Sequence, residues 1–293
     1  MENLKKLFWS SRPISWVNTA YPFAVAYWLA GGTQIATLII GTLFFLVPYN
    51  LLMYGINDVF DYESDLRNPR KGGIEGALLD PKLHALTINA AVWSCLPFVI
   101  YLTVVGNSAS TGWLYFFIFT VIAYSAKGLR FKEKPILDSL TSSSHFFGPM
   151  VVGLAMAGAN LADQKLLAMI SAFALWGIGS HAFGAVQDVK ADREAAIKSI
   201  ATVFGARVTT RLAFFAYLFA GLKILAAGFP ATLASIAVIP YLVIVGRFWN
   251  ITDETCEDAN RSWKHFIKLN YLSGFLVTLL IIWYYLVSMS PAN

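Results

Sequence analysis

Asn57-Asp58-Val59-Phe60-Asp61-Tyr62-Glu63-Ser64-Asp65 is the stretch on which the reading of this chain turns. It follows a long apolar segment, Gly41 to Ile56, and precedes the basic residues Arg67, Arg70 and Lys71. If a helix runs through it, Asp58, Asp61 and Asp65 fall at i, i+3 and i+7 on one face. Three carboxylates on one face repel one another unless a cation lies among them. Oxygen donors without Cys or His suit Mg²⁺ or Ca²⁺ rather than zinc.

A shorter version recurs downstream as Gln187-Asp188-Val189-Lys190-Ala191-Asp192-Arg193, again closing an apolar run beside basic residues. Asp188 and Asp192 stand one helical turn apart. Mg²⁺ is usually held by a few carboxylates plus substrate phosphates. Two acidic faces flanked by lysines and arginines therefore suggest a metal–diphosphate clamp, and both sets of acids are expected to grip the same anion.

The rest of the chain is built for lipid. Of its 293 residues 57% are hydrophobic and 13% charged, with a mean hydropathy of +0.59. Soluble domains carry about 25% charged residues, so an all-α integral membrane protein is expected, one transmembrane domain over residues 1–293. A spanning helix needs about 20 mostly apolar residues. Nine such stretches can be drawn around a central cavity, near 14–30, 35–56, 83–105, 111–126, 136–158, 165–187, 208–227, 231–249 and 266–288. With nine spans nearly every loop Lys and Arg falls on one side and only Lys165 lies opposite, while Lys223 sits within span seven. The positive-inside rule makes that side the cytoplasm, with the N-terminus in, the C-terminus out and both acidic motifs on the inner face of the cell membrane. The N-terminal segment has no small-residue cleavage site before the first span and is expected to be retained. Asp58 and Asp188 each close an even-numbered span, four spans apart, a weak sign of two related halves. Cys95 in an apolar run and Cys256 in a polar loop support neither a disulfide framework nor a zinc site. The net charge of +5 follows from topology, and no basic stripe interleaved with aromatics points to nucleic acid.

Acids at membrane helix ends can simply reach the wet interface, so a lone Asp192 would mean little. Five aspartates at helical spacing in two copies read instead as ligands, because uncompensated charge inside a membrane is costly and usually functional. Asp58 could also brace a neighbour, and Asn57 is a metal or phosphate contact or an interhelical hydrogen bond. Most basic residues serve topology alone. Those best placed to meet a diphosphate are Tyr124 and Lys127, a phenol and an ammonium one turn apart, then Arg130, Lys134, Arg12 and Lys198. His181, two turns deeper than Asp188, could touch the acceptor, take a proton or be a hydrogen-bonded packing residue, and His145 has the same alternatives. Asp138 reads as a cap. Phe60, Tyr62, Trp176 and Phe183 could shield a carbocation by cation–π contact.

These motifs resemble the UbiA superfamily of intramembrane prenyltransferases. Asn57-Asp58-x-x-Asp61-x-x-x-Asp65 is similar to its first signature, Asp188-x-x-x-Asp192 to its second, and Tyr124-x-x-Lys127 to the basic motif between them. Arg12-Pro13 looks like the start of its first helix. Within that superfamily Ser10 to Phe23, Tyr54 to Asp65, Arg247 to Thr252 and Ala259 to Lys264 resemble bacterial lycopene elongases. The resemblance implies Mg²⁺-dependent transfer of a dimethylallyl group from its diphosphate to lycopene, giving 45- and then 50-carbon carotenoids. It implies Asp61, Asp65, Asp188, Asp192 and Lys127 as catalytic residues, with Asn57 and Asp58 joining the four acids at the metal. Some relatives work with a small membrane partner subunit. An aromatic acceptor, such as a quinone or chlorin precursor, is the alternative within the superfamily. No basic residue lies deep in a span except Lys223, which favours an apolar acceptor. A polytopic transporter is the alternative outside it, although transporter sites usually lie near the midplane on broken helices.

Overall fold

A computed structural model describes residues 2–62, 66 and 79–289; Asp65, Arg67, Arg70 and Lys71 lie outside the described residues. Among those residues every element is a helix or a helical turn. The helices gather into two compact units, Met1–Leu161 and Ala162–Asn293.

In the first unit α1 (Glu2–Ser10) leads through a 3₁₀ turn at Pro13–Ser15 into α2 (Val17–Leu29) and α3 (Ile35–Leu46). Pro48 cannot donate the hydrogen bond that would continue α3. The chain proceeds as α4 (Pro48–Asn50), a π-helical turn (Leu51–Gly55) and α5 (Ile56–Phe60). Asn50 tends the break: its amide donates to the carbonyls of Phe45 and Leu46 at 2.8 and 3.1 Å and to Thr19 Oγ1 at 2.7 Å. The unit continues with α6 (His84–Val105), α7 (Ser108–Ser125) and α8 (Leu137–Met156).

Helix α2 packs on α3 and α8, and small residues set how closely. A Cβ on Gly153 would stand 2.7 Å from the Phe23 carbonyl, so α8 rests almost directly on the α2 backbone. Gly41 leaves room for the Phe23 ring in the same way. Close backbone approach at small residues is how helices associate where lipid removes the hydrophobic drive. Phe23, Phe44, Phe45 and Tyr49 fill the remaining space as a buried aromatic cluster.

In the second unit α9 (Gln164–Val186) lies along α11 (Ile200–Leu225), with the six-residue α10 (Val189–Glu194) between them in sequence. A 3₁₀ segment (Ala231–Val238) precedes α12 (Ile239–Gly246), and a 3₁₀ turn (Asp253–Asp258) precedes α13 (Ala259–Met289). The core gathers Phe183, Tyr217, Tyr241 and Phe266, with Tyr217 stacked on Tyr241 and Phe183 on Phe266. Ser180 and the Tyr217 hydroxyl share a hydrogen bond at 2.8 Å.

Large side chains such as Ile35, Val104, Phe219 and Ile236 are exposed on the outer faces of these helices. That surface has the character of one covered by lipid. All nine expected stretches carry helical structure. Five helical segments among the described residues are long and apolar enough to cross a membrane by length and composition: Ile35–Phe60, Pro81–Val105, Gln164–Val186, Ile200–Leu225 and Asp253–Leu286. The count of nine spans is therefore not confirmed.

Candidate active site

Each acidic motif sits where a helix ends. In the first unit α5 stops at Phe60, and Asp61 takes the C-cap with φ −102° and ψ 0°. The helix thus does not run unbroken through the motif as the spacing supposed. Asp61 is still one turn past Asn57, its amide donating to the Asn57 carbonyl at 2.9 Å.

The two described carboxylates of this motif have different surroundings. Asp58 is buried and turns toward the N-terminal segment, accepting hydrogen bonds from Ser10 Oγ at 2.8 Å and Arg12 Nη2 at 3.0 Å. Arg12 reaches it from a left-handed backbone conformation (φ 50°), with its guanidinium 4.3 Å above the Tyr54 ring. Asp61 is also buried and turns toward the loop after α7. It forms ion pairs with Lys132 and with Arg130, the latter at 3.7 Å, and accepts from the Asn57 amide at 2.6 Å. The same Asn57 amide donates to Ser125 Oγ at 3.0 Å, tying the motif to the end of α7.

The loop after α7 is shaped by its own charges. Arg130 pairs with Glu133 and donates to the Phe60 carbonyl at 3.4 Å. The hydrogen bond from Arg130 holds the Glu133 carboxyl below its ordinary pKa, against the upward push of burial. Ala126 leaves the helix (φ −58°, ψ 138°), so Tyr124 and Lys127 do not share a helical turn as expected. Tyr124 is half-buried, stands edge-on to His145 at 5.3 Å and feels the charges of Asp138, Asp61 and Arg12. Lys127 and Lys134 are exposed, Lys134 lying 4.9 Å above the Phe131 ring. His145 and Asp138 are buried on α8, Asp138 accepting from the Ser139 amide at 2.7 Å.

In the second unit α9 ends at Val186, and Asp188 stands at the break before α10 (φ −96°, ψ −2°). Asp192 lies one turn on, its amide donating to the Asp188 carbonyl at 2.8 Å. Both side chains are half-buried, while Lys198 is exposed just ahead of the Ser199 cap of α11. His181 is half-buried on α9, two turns before Asp188. Trp176 meets Tyr241 edge-on, and Phe183 is enclosed in the core, which makes both packing residues of this unit. Among the described residues no group of three or more His, Cys, Asp or Glu is gathered closely enough to hold a metal. Asp65, the acid that would complete the first motif, is not among them.

Carboxylate spacing alone does not single out Lys132, Ser10 or Ser125, which contact Asp61, Asp58 and Asn57. Lys132 was legible as one charge of the Arg130-x-Lys132-x-Lys134 alternation, but its choice of Asp61 is set by the 3₁₀ turn at Phe131–Glu133.

Residues 19–273 match the UbiA prenyltransferase family. The chain belongs to that family.

This UbiA-family chain is 55% identical over 97% of its length to the C(50) beta-cyclic carotenoids biosynthesis protein LbtBC of Dietzia sp. (strain CQ4), of whose length it spans 66%. It is 50% identical over 96% of its length to the lycopene elongase/hydratase of Corynebacterium glutamicum, covering 98% of that protein. Its fold is similar to a UbiA homologue from Archaeoglobus fulgidus solved with GPP and Mg²⁺: TM-score 0.67 at 17% identity, over 93% of this chain and 99% of that one. The apo UbiA homologue from Aeropyrum pernix K1 gives TM-score 0.66 at 16% identity, over 91% and 99%. The chain is thus a prenyltransferase of the UbiA fold with membrane-capable helices.

Proposed function

We propose that this protein transfers a dimethylallyl group from dimethylallyl diphosphate to the ends of lycopene, making 45- and 50-carbon carotenoids. The observation that carries the proposal is the 50% identity to a lycopene elongase/hydratase across almost the whole of both chains. The dimethylallyl donor is supported by the Archaeoglobus homologue, which has also been solved with DMAPP and Mg²⁺.

The residues fit a magnesium diphosphate. The donor set is all oxygen, and Asp61 is buried among positive charge. Arg12 Nε is screened from solvent and has no hydrogen-bond partner among the described residues, leaving a donor of the kind a phosphate oxygen takes. Asp61, Asp65, Asp188 and Asp192, with Asn57, would hold Mg²⁺, and Asp58 would steady Arg12. When bound, Mg²⁺ neutralises charge on the diphosphate as it leaves. Arg12, Lys127, Arg130, Lys132, Lys134 and Lys198 meet the rest of that charge, and Tyr124 orients one oxygen.

The reaction breaks the allylic C–O bond, its electron pair leaving with the diphosphate. The terminal alkene of lycopene attacks the allylic carbon and forms the new C–C bond. The resulting cation is quenched by loss of a neighbouring proton or by addition of water. Apolar surroundings spare the allylic cation from premature hydrolysis. We place the nine expected spans in the cell membrane with the basic loops and both acidic motifs facing the cytoplasm. An acceptor as long and apolar as lycopene enters from the lipid. A small partner subunit gains no support from these relatives and forms no part of the proposal.

Purified protein in liposomes loaded with lycopene, given dimethylallyl diphosphate and Mg²⁺, is expected to yield products one and two C₅ units heavier, and none after chelation. Conversion of a quinone precursor but not of lycopene would overturn the assignment.

A further inference from the structure

The second acidic motif stands on a helix too short to hold itself. Helices below about 12–15 residues are marginal alone, and α10 has six, broken from α9 at Asp188 and ended by a left-handed Ala196 (φ 56°). Something else must fix where Asp188 and Asp192 point.

The geometry points to the 252–260 segment as that fixture: it ties the motif at both ends, making Asp253 and Asn260 positioning residues for the metal-holding acids. The inference rests on the metal reading of Asp188 and Asp192 proposed above. On the N-terminal side, Gln187 adjoins Asp188. Its side chain accepts from the Asn260 amide and donates to the Gly184 carbonyl at 2.9 Å, and its own carbonyl faces Cys256 Sγ at 4.0 Å. On the C-terminal side, Arg193 adjoins Asp192. Its guanidinium donates to the Thr202 carbonyl at 2.9 and 3.1 Å and to Asp253 Oδ2 at 2.6 Å.

Asp253 does a second thing with its other oxygen. Helix α11 is kinked at Gly205 (φ 81°), which frees backbone amides there, and Asp253 Oδ1 accepts from the Ala206 amide at 2.6 Å. One carboxylate thus joins the α11 kink to the residue beside Asp192. A side chain on Gly205 would meet that carboxylate at 3.2 Å, so the glycine serves both the turn and the approach. A further tie, Lys190 to Glu257 at 3.9 Å, is an exposed pair, and such pairs contribute little. It provides a control on the same segment.

Residues that orient metal ligands typically change metal affinity 10–100-fold when altered. The test is a Mn²⁺ titration of the purified full-length protein followed by electron paramagnetic resonance, which reads metal binding without turnover. Asp253→Asn and Asn260→Ala are each expected to weaken Mn²⁺ binding about tenfold or more. Arg193→Lys should restore part of what Arg193→Ala loses, and Glu257→Gln should bind as the parent does. Each variant is compared only as a monodisperse species in gel filtration. If Asp253→Asn does not fold, Asn260→Ala and the Arg193 pair carry the test. Parent-like binding in the folded Asp253 and Asn260 variants overturns the clamp while leaving the metal reading intact. A parent that binds no Mn²⁺ overturns the metal reading and the clamp with it.

Discussion

Replacing Asp58 separates two roles for the first acid of the motif, a brace for Arg12 or a ligand for the metal. Its side chain is fully screened from solvent, whereas that of Arg12 keeps 17% exposure, and the two meet at 3.0 Å. Removing one partner of a buried pair costs about 3–5 kcal/mol. Arg12 retains some water and its place over the Tyr54 ring, which puts Asp58→Ala near the lower end, about 3 kcal/mol. Asp58→Asn keeps the shape and a neutral acceptor for Ser10, so its cost should be nearer 1.5 kcal/mol. Thermal unfolding in detergent, run as a double-mutant cycle with Arg12→Ala, should give a coupling of at least about 1 kcal/mol. In the liposome assay Asp58→Asn should raise KM for dimethylallyl diphosphate while the Mg²⁺ concentration giving half-maximal rate stays at the parent value. Unfolding effects that add within about 0.5 kcal/mol, or a changed Mg²⁺ requirement with KM unmoved, would refute the brace and return Asp58 to the metal ligands.

Other consequences are open to direct measurement. Gly153→Leu forces α8 away from the α2 backbone and should destabilise the first unit by at least about 1–3 kcal/mol, read as a lower unfolding temperature; an unchanged temperature would mean the helices are not in contact there. Glu133 has a depressed pKa, so its pairing with Arg130 is present above the unfolded value of about 4.3 and is lost only as pH falls through the lower folded value. Glu133→Gln should therefore raise KM for the diphosphate at pH 6 and 7 alike, and an effect appearing only near pH 7 would contradict this order. Lys132→Met removes a direct partner of Asp61 and should slow turnover more than Lys134→Met, whose ammonium lies over Phe131.

Much of this organisation is legible in the sequence, and what is not has a common cause. Apolar runs locate helical structure over every expected span, because hydropathy is a local property. Span counting is less secure where punctuation interrupts: α12 is only eight residues after a 3₁₀ segment, and α2 has thirteen. Both acidic motifs are recognisable from carboxylate spacing, and their position at helix ends follows from the apolar runs before them. The partners of those acids are not recognisable. Ser10 lies 48 positions from Asp58 and Asp253 lies 60 from Arg193, and nothing in local spacing joins residues so far apart. The expected shared helical turn of Tyr124 and Lys127 is absent for a local reason: a single extended residue, Ala126, carries Lys127 off the helix.

The central claim is that both acidic motifs serve one magnesium-dependent prenyl transfer to lycopene. It is tested most directly by Asp61→Asn and Asp192→Asn, each folded and assayed in lycopene-loaded liposomes with dimethylallyl diphosphate and Mg²⁺, with product mass as the readout. Loss of the 45- and 50-carbon products in both variants is the expected result, and parent-level product from either one would contradict the account.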